Sequence, residues 1–232
     1  MFLIRKAKER GQARFSWLRS AHTFSFGEYY DPRHMGFGHL RVINEDVVAP
    51  GGGFATHGHR DMEIISYVLD GALEHKDSMG NGSVIRPGDV QRMSAGTGVT
   101  HSEYNYSSFE PVHFLQIWLQ PNAYGVEPSY DQKHFPLDDR RGRWVLLVSP
   151  DGRDGSIATR QDALMFGSLL ASGETLEYRF GANRHGYLHV ARGQLQVGDV
   201  TLKHGDGLKI QRQALLQLKG IEAAEILLFD LP

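Results

Sequence analysis

Turn-forming residues interrupt this chain so often that long helices have no room to form. Asp70-Gly71, Gly80-Asn81-Gly82, Pro87-Gly88-Asp89 and Ala95-Gly96-Thr97-Gly98 follow one another closely in the first half. Between such turns lie short segments rich in β-branched and aromatic residues: Gly38 to Asn44, Glu63 to Leu69, Ser83 to Ile85, Val90 to Met93 and Val112 to Leu119. In the last of these, Val-His-Phe-Leu-Gln-Ile-Trp-Leu, side chains alternate between the two faces of a sheet. Both faces are largely apolar, so this strand should be covered on both sides. The 27 glycines fit many short strands joined by tight turns. An all-β fold is expected.

Gln120 to Arg143 reads as a connector, with Pro121, Pro128, Pro136, several charges and little periodicity. It divides the chain into an N-terminal domain over 1–135 and a C-terminal domain over 136–232. Strand-like segments resume at Trp144 to Ser149 and continue to Ile226 to Phe229. The halves echo each other: Tyr67 to Leu73 matches His189 to Leu195, and Pro87-Gly88-Asp89 matches His204-Gly205-Asp206. Two copies of one β-barrel or sandwich would produce that repeat.

Composition removes several functional classes. There is no cysteine, which excludes disulfides, thiolate metal sites and cysteine nucleophiles. The net charge is −2 and no basic block stands out, so no nucleic-acid partner is expected. The apolar start Met1 to Ile4 is too short for a secretory signal. No apolar run reaches membrane-spanning length. A cytoplasmic protein without a membrane partner is expected.

The chemistry is concentrated in two short stretches. In Gly53 to His59 an extended strand would project His57 and His59 from one face, two imidazoles side by side, with Gly58 removing bulk from the other. His101 and Glu103 repeat the i, i+2 relation after a glycine-rich turn. If the two strands lie together, three imidazoles and one carboxylate converge. That donor set lacks sulfur and suits Fe(II), Zn, Ni, Co, Mn or Cu better than calcium or magnesium. Glu63 shares the parity of His57 and could be a ligand, an acceptor that orients an imidazole, or a polar residue at a strand start; Asp61 is a weaker version of the same case. His75, His113 and His134 read as packed or surface residues, and His185, His189 and His204 have no i, i+2 partner.

At these residues the chain resembles the cupin superfamily. Gly51 precedes His57-x-His59 by the motif interval and Gly71 closes the segment, while Gly98, His101 and Asn105 match the second motif. Ile64 stands where the general motif has glutamate, with Glu63 one residue early. The resemblance sharpens to the pirin family through His22-Thr23-Phe24-Ser25-Phe26, Met35-Gly36-Phe37-Gly38, His57 to Glu63, His75 to Gly80, Met93 to Gly98 and His101 to Asn105.

The resemblance implies a bicupin, two cupin β-barrels or sandwiches packed face to face, with one divalent metal in the N-terminal one. It places the ligands on His57, His59, His101 and Glu103, with Fe(II) the first expectation for the metal. Bacterial members of this kind are similar to flavonol 2,4-dioxygenases, usually called quercetin 2,3-dioxygenases. The implied partners are a small aromatic flavonol and O2, with Glu103 also taking the substrate proton. Phe24, Phe26 and Met62 are candidates to line the substrate pocket, against ordinary core packing. Arg179 and Gly181, the repeat partners of His57 and His59, cannot build a second site. A rival reading is a non-enzymatic metal-binding regulator that acts through a protein partner. A sugar-isomerase cupin is disfavoured because that group's pattern lacks the pirin segments.

Overall fold

The computed structural model describes all 232 residues. Strands dominate it, and the helical pieces are the short turns Ala7–Glu9, Leu137–Arg140 and Arg153–Gly155. The chain forms two compact units, and each contains a seven-stranded and a four-stranded sheet.

One unit comprises residues 11–134 and 159–161. Its large sheet runs in the order Ser129–His134, Asp89–Ser94, Glu63–Asp70, Val112–Leu119, Leu40–Val48, Leu18–His22, Gly11–Arg14, antiparallel throughout. Its small sheet runs Gly53–His59, Val99–Asn105, Leu73–Asp77, Gly82–Ile85. The sheets remain separate, so the unit is a cupin-like sandwich and not a closed barrel. Leu18, Val48, Val68, Val112 and Phe114 of the large sheet meet Leu73 and Ile85 of the small one in a buried cluster. Each such side chain contributes about 1.5–3 kcal/mol on leaving water. Val112–Leu119 is central, paired on both edges, and almost wholly buried, as its two apolar faces require.

The second unit holds residues 1–10, 135–158 and 162–232. Its large sheet runs Phe2–Arg5, Gly207–Ile210, His185–Arg192, Ala224–Leu231, Leu164–Leu170, Val145–Ser149, Ile157–Ala158, and its small sheet Thr175–Arg179, Leu215–Gly220, Gln194–Val197, Val200–Lys203. Leu188, Val190, Ile226 and Leu228 from the large sheet pack with Leu195, Leu202, Leu216 and Leu218 from the small one.

Three details depart from the sequence reading. Residues 1–10 were grouped with the first domain but belong to the second unit, because Phe2–Arg5 pairs antiparallel with Gly207–Ile210. The connector contains a strand: Ser129–His134 is the edge of the first large sheet, paired with Asp89–Ser94. Its charged residues suit an exposed sheet edge, which hid the pattern. Gly58 is not required by space, since an added Cβ would meet its nearest neighbours at 3.9 Å. Gly96 is required: its φ is +46°, and a Cβ there would strike the Val126 carbonyl at 2.1 Å.

Candidate metal centre

The small sheet of the first unit places the centre. In its antiparallel ladders His101 stands directly opposite His57 on one side and Asp77 on the other, and Glu103 stands opposite His75. Residues directly opposite share a face. With the i, i+2 rule, His57, His59, His101, Glu103, His75 and Asp77 therefore all project from one side of the sheet. The ladder slips between His101 and Glu103, so that Glu103 faces Phe54. The extra residue on the Gly53–His59 strand is a β-bulge, which resets side-chain parity. It turns Phe54 to the same side as His57 although the two are three residues apart.

Three imidazoles converge. His101 Nε2 lies 3.0 Å from His59 Nε2 and 3.1 Å from His57 Nε2. Two nitrogens bonded at right angles to one ion at roughly 2.0–2.1 Å would be roughly 3.0 Å apart, so the spacing fits. A ligand oxygen of Glu103 lies within 4.8 Å of ring nitrogens of His75 and His101.

The tautomers also fit. His57 Nδ1 lies 2.8 Å from the Ala55 carbonyl. A carbonyl only accepts, so Nδ1 carries the hydrogen and Nε2 of the neutral ring presents a lone pair. His75 Nε2 lies 3.1 Å from the Asp77 carboxylate, which likewise only accepts. The His75 Nδ1 lone pair then receives the Nδ1–H of His101 across 3.4 Å. That leaves His101 Nε2 as a lone pair aimed at the cluster. Burial, then the neighbouring imidazoles of His101 and His57, push His59 down to about 4. Burial, then His57 and His75, push His101 down to about 3. Both rings are therefore neutral at physiological pH and ready to ligate without losing a proton.

Glu103 is held from the opposite sheet. Ser66 Oγ donates to its Oε1 at 3.1 Å and Gln116 Nε2 donates to its Oε2 at 2.7 Å. Both donors belong to a transverse row on the large sheet. His22 pairs with Asn44, Asn44 with Gln116, Gln116 with Ser66, and Ser66 with Gln91. All five are buried, in a layer that a sandwich would ordinarily fill with apolar side chains.

Comparison with known proteins gives this arrangement a family. The family described as Pirin matches residues 4–119, and a quercetinase C-terminal cupin domain matches residues 146–231. Quercetin 2,3-dioxygenase of Escherichia coli K12 is 46% identical over 232 residues, covering 100% of this chain and 99% of the relative. The chain belongs to the pirin family. A pirin-like protein of Caulobacter vibrioides is 44% identical over 221 residues, 95% of each chain. Among solved structures, E. coli YhhW superposes with a TM-score of 0.96 at 45% identity, covering 100% of this chain and 98% of that one. A second structure of that bacterial pirin, in complex with nickel(II), gives 0.95 at 45% identity, covering 100% and 99%.

In this pirin the imidazoles open onto a cavity of about 330 Å³, lined by His57, His59 and Glu103 together with Phe15, Trp17, Phe26, Tyr29, Phe54 and Trp118. That is within the usual size for a small-ligand pocket. Trp118 meets His59 edge-on at 5.0 Å and Phe26 at 5.3 Å, and Trp17 meets Phe54 at 5.2 Å. Of the three proposed lining residues only Phe26 is on the wall. Phe24 is 1% exposed in the core, and Met62 packs against the cluster of Ile64, Met93, Ala95 and Val99. Glu63 is not at the centre. Its carboxylate accepts hydrogen bonds from Ser94, from Thr159 Oγ1 at 2.9 Å and from the Arg160 backbone N–H at 3.2 Å. Asp61 caps the Gly125 N–H at 2.7 Å. The sequence reading missed His75 and Asp77, whose own i, i+2 spacing was the available signal. The second unit has no comparable cluster of histidines and carboxylates.

Proposed function

We propose that this pirin is a metal-dependent dioxygenase that opens the heterocyclic ring of flavonols such as quercetin with O2 and releases CO. The observation that carries the reading is the convergence of the three imidazoles of His57, His59 and His101 at an aromatic-walled cavity. His57, His59, His101 and Glu103 would hold the divalent metal, Fe(II) by expectation. Nickel(II) is the ion in the related YhhW structure. The bound metal would supply Lewis acidity that favours the ionised flavonol hydroxyl.

The chain's own residues account for the rest. Phe26, Phe54, Trp17 and Trp118 sandwich a flat ring system and keep water from it. Glu103, with Ser66 and Gln116 fixing both oxygens, takes the hydroxyl proton as general base. Ala55, through His57 Nδ1, and His75, through His101 Nδ1, keep two lone pairs aimed inward.

His57→Ala should abolish both metal content, read by ICP-MS, and loss of the long-wavelength flavonol absorbance in air. Full metal retention in that variant, or no flavonol decay by the wild type with any reconstituted divalent metal, would overturn the reading.

A further inference from the structure

Buried polar atoms without partners are rare, and each needs a reason. The wall of the metal-site cavity has several. Asn44 is 3% exposed and its Oδ1 has no hydrogen-bond partner; Asp46 is 4% exposed and its Oδ1 has none; Trp118 Nε1 has none. All three residues line the cavity. Asn44 and Asp46 are i and i+2 on Leu40–Val48, so they stand side by side on the inner face. The register places Asn44 between His22 and Gln116, and Asp46 between Ser20 and Phe114. These side chains rise from the large sheet, whereas the histidines come from the small one.

Two acceptors side by side ask for donors, and an indole N–H asks for an acceptor. Burying such groups unpaired costs about 1–3 kcal/mol each in a protein interior. We propose that Asn44 and Asp46 form a hydroxyl-binding subsite, with Trp118 Nε1 donating to an oxygen of the same ligand. The ligand class is a flat aromatic that carries phenolic hydroxyls in addition to the oxygens it offers the metal. The proposal rests on the flavonol reading and narrows it to polyhydroxylated members.

The test is anaerobic binding to the nickel-loaded protein, read by quenching of tryptophan fluorescence. The probes are quercetin and 3-hydroxyflavone, which keeps the metal-binding oxygens and lacks the remaining hydroxyls. The more apolar 3-hydroxyflavone would bind better to a merely greasy cavity. The subsite predicts the reverse, about a tenfold preference for quercetin. Asn44→Leu should reduce that preference to about threefold or less, and Asp46→Asn should also lower it, with metal content unchanged. Asp46→Asn keeps shape and serves if Asn44→Leu fails to fold. No preference in the wild type, or full preference in both variants, overturns the subsite. The two readings fail separately: preference without aerobic turnover sinks the oxygenase, and turnover without preference sinks the subsite.

Discussion

His75→Phe should weaken metal binding by about tenfold and leave the first unit folded. Phenylalanine keeps a planar ring of similar size, and the stacking of residue 75 on Tyr130 at 5.0 Å and 29° can persist. It removes the Nδ1 acceptor 3.4 Å from His101 Nδ1 and the Nε2 donor 3.1 Å from Asp77, whose carboxylate keeps the Asn81 side chain and the Met79 and Asn81 backbone N–H groups as donors. His101 is 2% exposed, so its Nδ1–H has little access to water as a substitute. A buried donor left unpaired costs about 1–3 kcal/mol. The ring avoids that cost by moving its hydrogen to Nε2, which withdraws the lone pair that faces His57 and His59. Either way the loss appears in metal affinity, at about 1.4 kcal/mol per tenfold. The bond is long, so the lower end of the range applies. Competition against a chromophoric chelator with zinc or nickel gives the dissociation constant, and circular dichroism with the metal-free unfolding midpoint controls for folding. A dissociation constant within about twofold of wild type, in a folded variant, would refute the chain Asp77–His75–His101 as the device that orients the ligand. Asp77→Asn is a poorer probe, because Asp77 Oδ1 also accepts the Met79 and Asn81 backbone N–H groups at 2.9 and 3.0 Å.

Further outcomes follow from the same geometry. Gln116→Leu removes the 2.7 Å donor to buried Glu103 and should lower stability by about 1–3 kcal/mol in urea unfolding, with weaker metal retention; an unchanged midpoint would contradict the role given to Gln116. In the metal-free protein two opposing pH effects meet. His59 and His101 fall from 6.5 to about 4 and about 3 in the folded state, so the unfolded chain binds protons first and stability is lost as pH drops below about 6.5. Asp46 rises from 3.8 to about 7, chiefly through burial, so its contribution is lost as pH climbs from about 4 to 7. Asp46→Asn should therefore steepen the gain in stability between about pH 4 and 6.5, and denaturant titrations with identical slopes in variant and wild type would refute this. Gly96→Ala should cost more than about 1 kcal/mol, since it combines positive φ with a clash on Val126, and a normal unfolding midpoint would show that the turn can rearrange.

The convergence of His57, His59 and His101 was legible because strand parity is local. His57-x-His59 and His101-x-Glu103 each declare a shared face without knowledge of any neighbouring strand. What those faces meet depends on pairing between distant segments. The His22–Asn44–Gln116–Ser66–Gln91 row joins strands scattered from residue 18 to residue 119, and no single stretch of sequence shows it. The bulge that brings Phe54 beside His57 depends likewise on the partner strand. Phe24 and Met62 were misplaced because they sit just outside regular strands, where alternation gives no guide. The two-sandwich plan was readable from the spacing of turns, whereas the placement of residues 2–5 was not: their strand partner lies some two hundred residues downstream.

That pairing sets an order of events during synthesis. Phe2–Arg5 is made some two hundred residues before its hydrogen-bonding partner, Gly207–Ile210. The unit with the histidine cluster can condense while Phe2–Arg5 is still unpaired, and the other sandwich closes only once Gly207–Ile210 has been made. Closing so long a loop is slow rather than energetically prohibitive. Losing the leading strand would leave Gly207–Ile210 as a bare edge, a template for pairing with another chain.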